Sequence, residues 1–152
     1  MNVSRIEEIA EGQGPAWVHA SSVMVHGQAL VLFGQSGSGK SGLALQLMAL
    51  GATLIADDRT ILTRHEEQII ASCPKTITGR IEARGVGILR AEVAHDAPVV
   101  AFVDMECAET QRLPDPRALT VFGLHIPVLQ KVEEGYFPAA LMQYLSQGIA
   151  EG

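Results

Sequence analysis

A chain of 152 residues has room for one domain with a core of useful size. Its composition, 47% hydrophobic and 18% charged, is that of a globular protein slightly rich in core residues, as expected if some surface is buried between subunits. A net charge of −6 without a basic stripe argues against nucleic acid, whose binding rests on clustered Lys and Arg. Cys73 and Cys107 are isolated, match no metal spacing and read as ordinary thiols of a reducing compartment. Met1 to Glu11 carry no apolar signal core, and no apolar run reaches membrane-spanning length, so a soluble, cytoplasmic protein with no membrane partner is expected.

Residues 1–14 end in Gly12-Gln13-Gly14-Pro15 and read as a terminal helix turn or loose arm without a function. From Ala16 to His26, Trp17, Val18, Val23, Met24 and Val25 suggest one or two short strands. Gly27-Gln28 then suits a two-residue hairpin turn into the apolar run Ala29–Phe33. In that register Leu30 faces Val25, Leu32 faces Val23, and His19 falls opposite Ser36. A histidine in an apolar strand is more often a structural residue than a functional one.

Gly34-Gln35-Ser36-Gly37-Ser38-Gly39-Lys40-Ser41 fits G-x-x-x-x-G-K-[S/T], with a strand before it and Leu43, Leu47 and Leu50 at helical spacing after it. Glycines let backbone N–H groups close around phosphate oxygens, and the helix N-terminus adds partial positive charge. Lys40 can reach the β- and γ-phosphates, and the Ser41 hydroxyl can hold Mg²⁺. The helix from Lys40 to Leu50 drops about 16 Å at 1.5 Å per residue. Gly51 ends it, and the strand Ala52–Ala56 climbs back by a similar distance, as a βαβ crossover requires. Asp57 and Asp58 thereby return to the level of the phosphates, at the carboxyl end of a strand where open α/β sheets place ligands. The plain alternative is a solvated acidic turn.

Thr60–Arg64 and Gln68–Ser72 read as a hairpin around His65-Glu66-Glu67. Pro74 opens a segment ending in Gly79-Arg80-Ile81-Glu82-Ala83-Arg84-Gly85-Val86-Gly87-Ile88-Leu89, which has no clean period and reads as a loop entering a short strand. By pattern alone Glu82 and Arg84 are as much a surface ion pair as site residues. Ala97–Val103 fits a central, doubly covered strand, and Glu106–Arg117 an exposed connection. Val121–Leu129, interrupted by Gly123 and Pro127, suggests a strand at an edge position or with a bulge, and Pro138 begins a last helix with an apolar face.

His19, the loop Gly34–Ser41, the pair Asp57-Asp58 and the Glu82-x-Arg84-Gly-x-Gly-Ile segment resemble, in order and spacing, the catalytic domain of bacterial HPr kinase/phosphorylase. The resemblance spans roughly residues 16–104 and implies a phosphate-loop strand–loop–helix in a mixed α/β sheet of the PEP-carboxykinase-like kind. In length the chain is similar to the short α-proteobacterial form, a single domain over 1–152 without an N-terminal regulatory domain. The implied activity is ATP- and Mg²⁺-dependent phosphorylation of a serine on the carrier HPr, regulating the phosphotransferase system. Its reverse is phosphorolysis with inorganic phosphate that releases pyrophosphate. By the matched positions, Asp57 is implied as the base, with His19 and Asp58 supporting it, Lys40 on the phosphates and Arg84 stabilising phosphoryl charge. Gly34, Gln35, Ser36, Gly37, Ser38, Gly39, Lys40 and Ser41 are implied to bind ATP, and Ser41, Glu82 and Asp58 are candidate Mg²⁺ ligands. The longer enzymes imply a hexamer.

The chain departs from that pattern at Gly42, where the family usually has Glu, and at Ala83, where Val is common. Lys131 to Phe137 reads Lys-Val-Glu-Glu-Gly-Tyr-Phe, where the longer enzymes carry a basic Arg-Asn segment. Two other readings stand beside the kinase: a nucleotide-binding regulatory module with little transfer, and a small-molecule kinase using the same loop.

Overall fold

The computed structural model describes residues 2–150. In chain order the strands are β1 (Val3–Ser4), β2 (Ala16–Val25), β3 (Gln28–Phe33), β4 (Thr53–Ala56), β5 (Arg59–His65), β6 (Gln68–Ser72), β7 (Arg80–Ala83), β8 (Gly87–Arg90), β9 (Ala97–Ala108), β10 (Ala118–Val121) and β11 (Leu124–Lys131). Helix α1 (Lys40–Ala49) follows β3, and α2 (Phe137–Gln147) follows β11.

Nine of the strands form one mixed sheet, and β7–β8 form a separate two-stranded sheet. Two long strands serve different neighbours along their length. The first half of β2 pairs with β5, and its second half with β3 and β4, all antiparallel. Strand β9 meets β6 at Pro98 and Ala97, then runs parallel to β3 and β11. The sheet therefore folds over itself. One core, with Val18, Val31, Phe33, Leu62, Ile69 and Phe102, fills the space it encloses. Phe33 and Phe102 meet there edge to face at 6.1 Å between centroids. A second core, with Leu30, Leu32, Leu43, Leu47, Leu54 and Leu141, lies under the helices. The run Ala29–Phe33 is apolar without alternation because both of its faces are covered. Strands β3 and β4 are parallel, with β2 between them and α1 as the crossover.

Four expectations change. Residues 3–9 are packed: β1 pairs in parallel with β2, and Ile6 and Ile9, in a 3₁₀ turn, are buried in the first core, so the segment is no loose arm. The β2–β3 turn is His26-Gly27, with Val25 opposite Gln28 and Val23 opposite Leu30. Both turn residues have positive φ (52° and 75°), as a two-residue turn matched to strand twist requires, and glycine takes the second position. The pairing shifts by two residues, so faces are preserved but His19 lies beside Gly34, not Ser36. Residues 80–90 form a hairpin instead of a loop entering a strand, and Ile81, 1% exposed, anchors it in the second core. Residues 118–131 form a hairpin turning at Phe122-Gly123, with Pro127 tolerated opposite Ala118.

Candidate active site

Strand β3 ends at the glycine-rich loop Gly34–Ser41. A Cβ on Gly34 would stand 2.7 Å from Ser38 Oγ, so only glycine lets the loop fold back this tightly. Ser38 N–H donates to Gln35 O at 3.1 Å, and Leu43 N–H to Gly39 O at 3.0 Å, which starts α1. At the end of β9, Glu106 Oε1 accepts from Gln35 N–H at 3.1 Å and braces the loop from outside. The Lys40 side chain is 3% exposed; its Nζ donates to Gln35 O at 3.0 Å and pairs with Asp58 Oδ1 at 3.5 Å. A buried ammonium needs such partners, because desolvation otherwise penalises its charge.

The crossover brings the two aspartates to the loop. Asp57 Oδ1 accepts from Ser41 Oγ at 2.6 Å and from Ser21 Oγ at 2.9 Å, and its Oδ2 accepts from Glu82 N–H at 3.0 Å. Asp58 has φ 66°, a conformation Asp tolerates better than most residues, and its N–H donates to Ser21 Oγ at 3.0 Å. The backbone reversal sends the neighbouring carboxylates different ways. Asp57 turns to Ser41 and the β7–β8 hairpin, while Asp58 faces Lys40.

A cavity of about 260 Å³ lies over the loop, lined by Ser36, Lys40, Ser41, Asp58, Glu82 and Arg84 among others. The structure thus collects six expected residues, Lys40, Ser41, Asp57, Asp58, Glu82 and Arg84, from the loop, the end of β4 and the hairpin. His19 is separate. Its carbonyl accepts from Gly34 N–H at 3.2 Å, and its exposed ring lies in a larger cavity of about 790 Å³ behind the loop. That cavity is also lined by Gln35, Ser36, Asp104, Glu106 and Cys107, so the two cavities meet at Ser36. The Asp104 carboxylate, by hydrogen bonding and charge, pushes the Cys107 thiol up from its ordinary value.

Ser41 Oγ touches the Asp57 carboxylate, and Asp58 and Glu82 line the cavity that Ser41 also lines. This all-oxygen set fits Mg²⁺, which takes few protein ligands and leaves the rest to phosphate and water. Among the described residues no three His, Cys, Asp or Glu converge as a metal cage of their own. Three residues escaped the sequence reading. Ser21 is fully buried and joins both aspartates; its signal is a Ser21-Ser22 pair inside an otherwise apolar strand. Glu106 braces the loop from what read as a connection. Lys131, at the end of β11, donates to Ser38 O at 3.5 Å.

A large mixed sheet with a glycine-rich loop between strand and helix, a buried lysine and a serine–aspartate pair at the loop's mouth define a mixed α/β domain. Residues 13–101, more than half the chain, match the family model described as HPr Serine kinase C-terminal domain, and the chain belongs to that family. It is 34% identical over 125 residues to HPr kinase/phosphorylase of Chlorobium phaeobacteroides, covering 74% of this chain and 37% of that one. It is 39% identical over 72 residues to the Clostridium tetani protein of the same name, covering 47% and 24%. The chain spans from about a quarter to little more than a third of the length of these relatives. Its fold is similar to that of the Hpr(Ser) kinase/phosphatase from Coxiella burnetii, with a TM-score of 0.72, 22% identity, and 86% and 93% of the two chains covered.

Proposed function

We propose that the chain is an ATP- and Mg²⁺-dependent protein-serine kinase acting on an HPr-type carrier in the cytoplasm, and that it also runs the reverse phosphorolysis. The observation that carries this is that Lys40, Ser41, Asp58, Glu82 and Arg84 line one cavity, with Asp57 bonded to Ser41 Oγ and to Glu82 N–H, in a chain of this family. Loop N–H groups and Lys40 would bind the triphosphate, and Ser41 and Glu82 would hold Mg²⁺, which neutralises phosphate charge when bound. Arg84 would meet the charge that spreads over the transferred phosphoryl group.

The resemblance implied Asp57 as the base; in this reading the acceptor's proton goes instead to Asp58, and Asp57 positions Ser41. Both Asp57 oxygens are already engaged by three donors, whereas Asp58 lines the cavity and is held there by Lys40. When Lys40 turns to phosphate, Asp58 is free to accept the seryl proton as the Oγ–P bond forms and the γ-phosphoryl–ADP bond breaks. In reverse, phosphate attacks phosphoserine, Asp58 returns the proton to the serine oxygen, and pyrophosphate leaves. The acceptor enters through the larger cavity, which His19 and Ser36 both help line. Assembly as a homo-oligomer, a hexamer on the family resemblance, completes the reading. Among the described residues no helix is long and apolar enough to cross a membrane.

Labelled ATP, Mg²⁺ and the cognate carrier test it. Serine phosphorylation that Lys40→Ala abolishes is expected, and no transfer under any metal or phosphate condition refutes it. Asp58→Asn should remove transfer while ATP still binds. If Asp58→Asn kept the full rate and only Asp57→Asn lost it, the base would be Asp57.

A further inference from the structure

The phosphate loop is gripped by two lysines, of which the motif contains only one. Lys40 Nζ donates to the carbonyl of Gln35, and Lys131 Nζ to the carbonyl of Ser38. Each carbonyl belongs to a peptide unit whose N–H is on the following residue, Ser36 and Gly39, and both of those residues line the phosphate cavity. Lys131 comes from the end of β11, where the β9–β11 register shifts between Gln130 and Lys131. Its ammonium stands 3.6 Å from where a Gly39 Cβ would be, against the outer side of the loop.

The free protein has little to gain from a charge placed there. Lys131 is half-buried and makes no ion pair among the described residues, although Glu133 and Glu134 follow it closely. It lies beside the N-terminus of α1, whose first turn carries no acidic residue. A cation at that end of a helix opposes the helix dipole, and Lys40 adds a second. The Ser38 contact is at the long limit of a hydrogen bond, so it offsets only part of the desolvation. An anion within the loop relieves all three terms together. A cation on the carbonyl side of a peptide also polarises the unit, making its N–H a better donor on the opposite side.

We infer that Lys131 is a positioning residue for the polyphosphate: it polarises the Ser38–Gly39 peptide towards the bound phosphates and adds a fixed positive charge behind the loop. This rests on the nucleotide reading above and adds a residue that reading does not need. The consequence is affinity for phosphates that adenosine alone does not feel, and a steeper dependence of that affinity on salt.

Calorimetric titration of ATP with Mg²⁺, of pyrophosphate and of adenosine into wild type, Lys131→Ala, Lys131→Arg and the remote control Lys75→Ala tests it, with thermal melts of each free protein. Lys131→Ala should bind ATP and pyrophosphate about tenfold more weakly, with a flatter salt dependence. Lys131→Arg should restore most of the affinity, and Lys75→Ala should match wild type. The free Lys131→Ala protein should melt at or slightly above the wild-type temperature, since an unpaired cation has gone from a helix N-terminus. Unchanged affinity in Lys131→Ala overturns the inference while leaving the kinase reading intact. So does a loss that Lys131→Arg does not repair and that a lower melting temperature accompanies. Wild type that binds neither ATP nor pyrophosphate overturns both.

Discussion

Ser41 and Asp57 lie 16 residues apart and are joined by a 2.6 Å hydrogen bond between hydroxyl and carboxylate. One contact thus ties the first turn of α1 to the end of β4 and fixes where a Ser41-bound cation would stand. Asp57 is fixed in turn by Ser21, which also accepts from Asp58 N–H.

Ser21→Ala should therefore act on both aspartates. Ser21 is fully buried, and its loss leaves Asp58 N–H without its acceptor and Asp57 with one donor fewer. Unmaking a buried hydrogen bond costs about 1–3 kcal/mol, so urea unfolding should show a loss of that size. Transfer rate should fall more than ATP affinity does, because no phosphate-loop group has been removed. Unchanged kcat with unchanged stability would remove Ser21 from the site.

Gly42 offers the opposite experiment. It lies in the first turn of α1 without the positive φ that would demand glycine, and a Cβ there meets nothing within 4 Å. Gly42→Ala should stabilise the protein by up to about 1 kcal/mol through helix propensity. Gly42→Glu should add a favourable helix-dipole term of about 0.3–1 kcal/mol while weakening ATP binding, since the carboxylate stands beside the phosphate cavity that Gly42 helps line. Denaturant melts and nucleotide titrations on the same proteins separate the two effects.

The ion pair of Glu109 with Arg117 gives a pH prediction. Hydrogen bonding to the guanidinium holds the Glu109 carboxyl below its ordinary value. A carboxyl lowered on folding contributes stability fully above its unfolded pKa, and that contribution fades as pH falls through the folded one. Arg117→Ala should thus lower the melting temperature at pH 7, and the gap to wild type should close on acidification. A gap that widened in acid would contradict the assignment.

The sequence carried the crossover almost whole, because loop, helix and return strand are local and their lengths must match. Lys40, Ser41 and the aspartates could be placed together from those lengths alone. The position of His19 depends on a turn in which His26 adopts positive φ, which no pattern announces; a turn at Gly27-Gln28 would place the register two residues away. The 80–90 hairpin was hidden because its tip is apolar and exposed, with Val86 and Ile88 at 77% and 70% exposure, and so shows no alternation. Residues 3–9 acquire their structure from a parallel pairing and two buried isoleucines, and Lys131 and Glu106 reach the loop across the sheet. Such long-range contacts leave no local trace.

The hairpin also suggests how the site could be weakened without touching a polar group. Ile81 sits between Arg80 and Glu82, points into the core under α1 and is 1% exposed, while the rest of the hairpin is largely open. The hairpin's backbone in turn holds Asp57 through Glu82 N–H and brings Glu82 and Arg84 to the cavity. Ile81→Ala removes its principal anchor at a cost of about 2–5 kcal/mol, the usual range for a buried isoleucine. Because the main sheet keeps its own cores, part of that cost should appear as local opening of residues 80–90. Amide exchange there should accelerate well beyond that of β3 and β9, and transfer should fall with ATP affinity less affected. Uniform acceleration across all strands would instead mean that the hairpin and the sheet unfold as one unit.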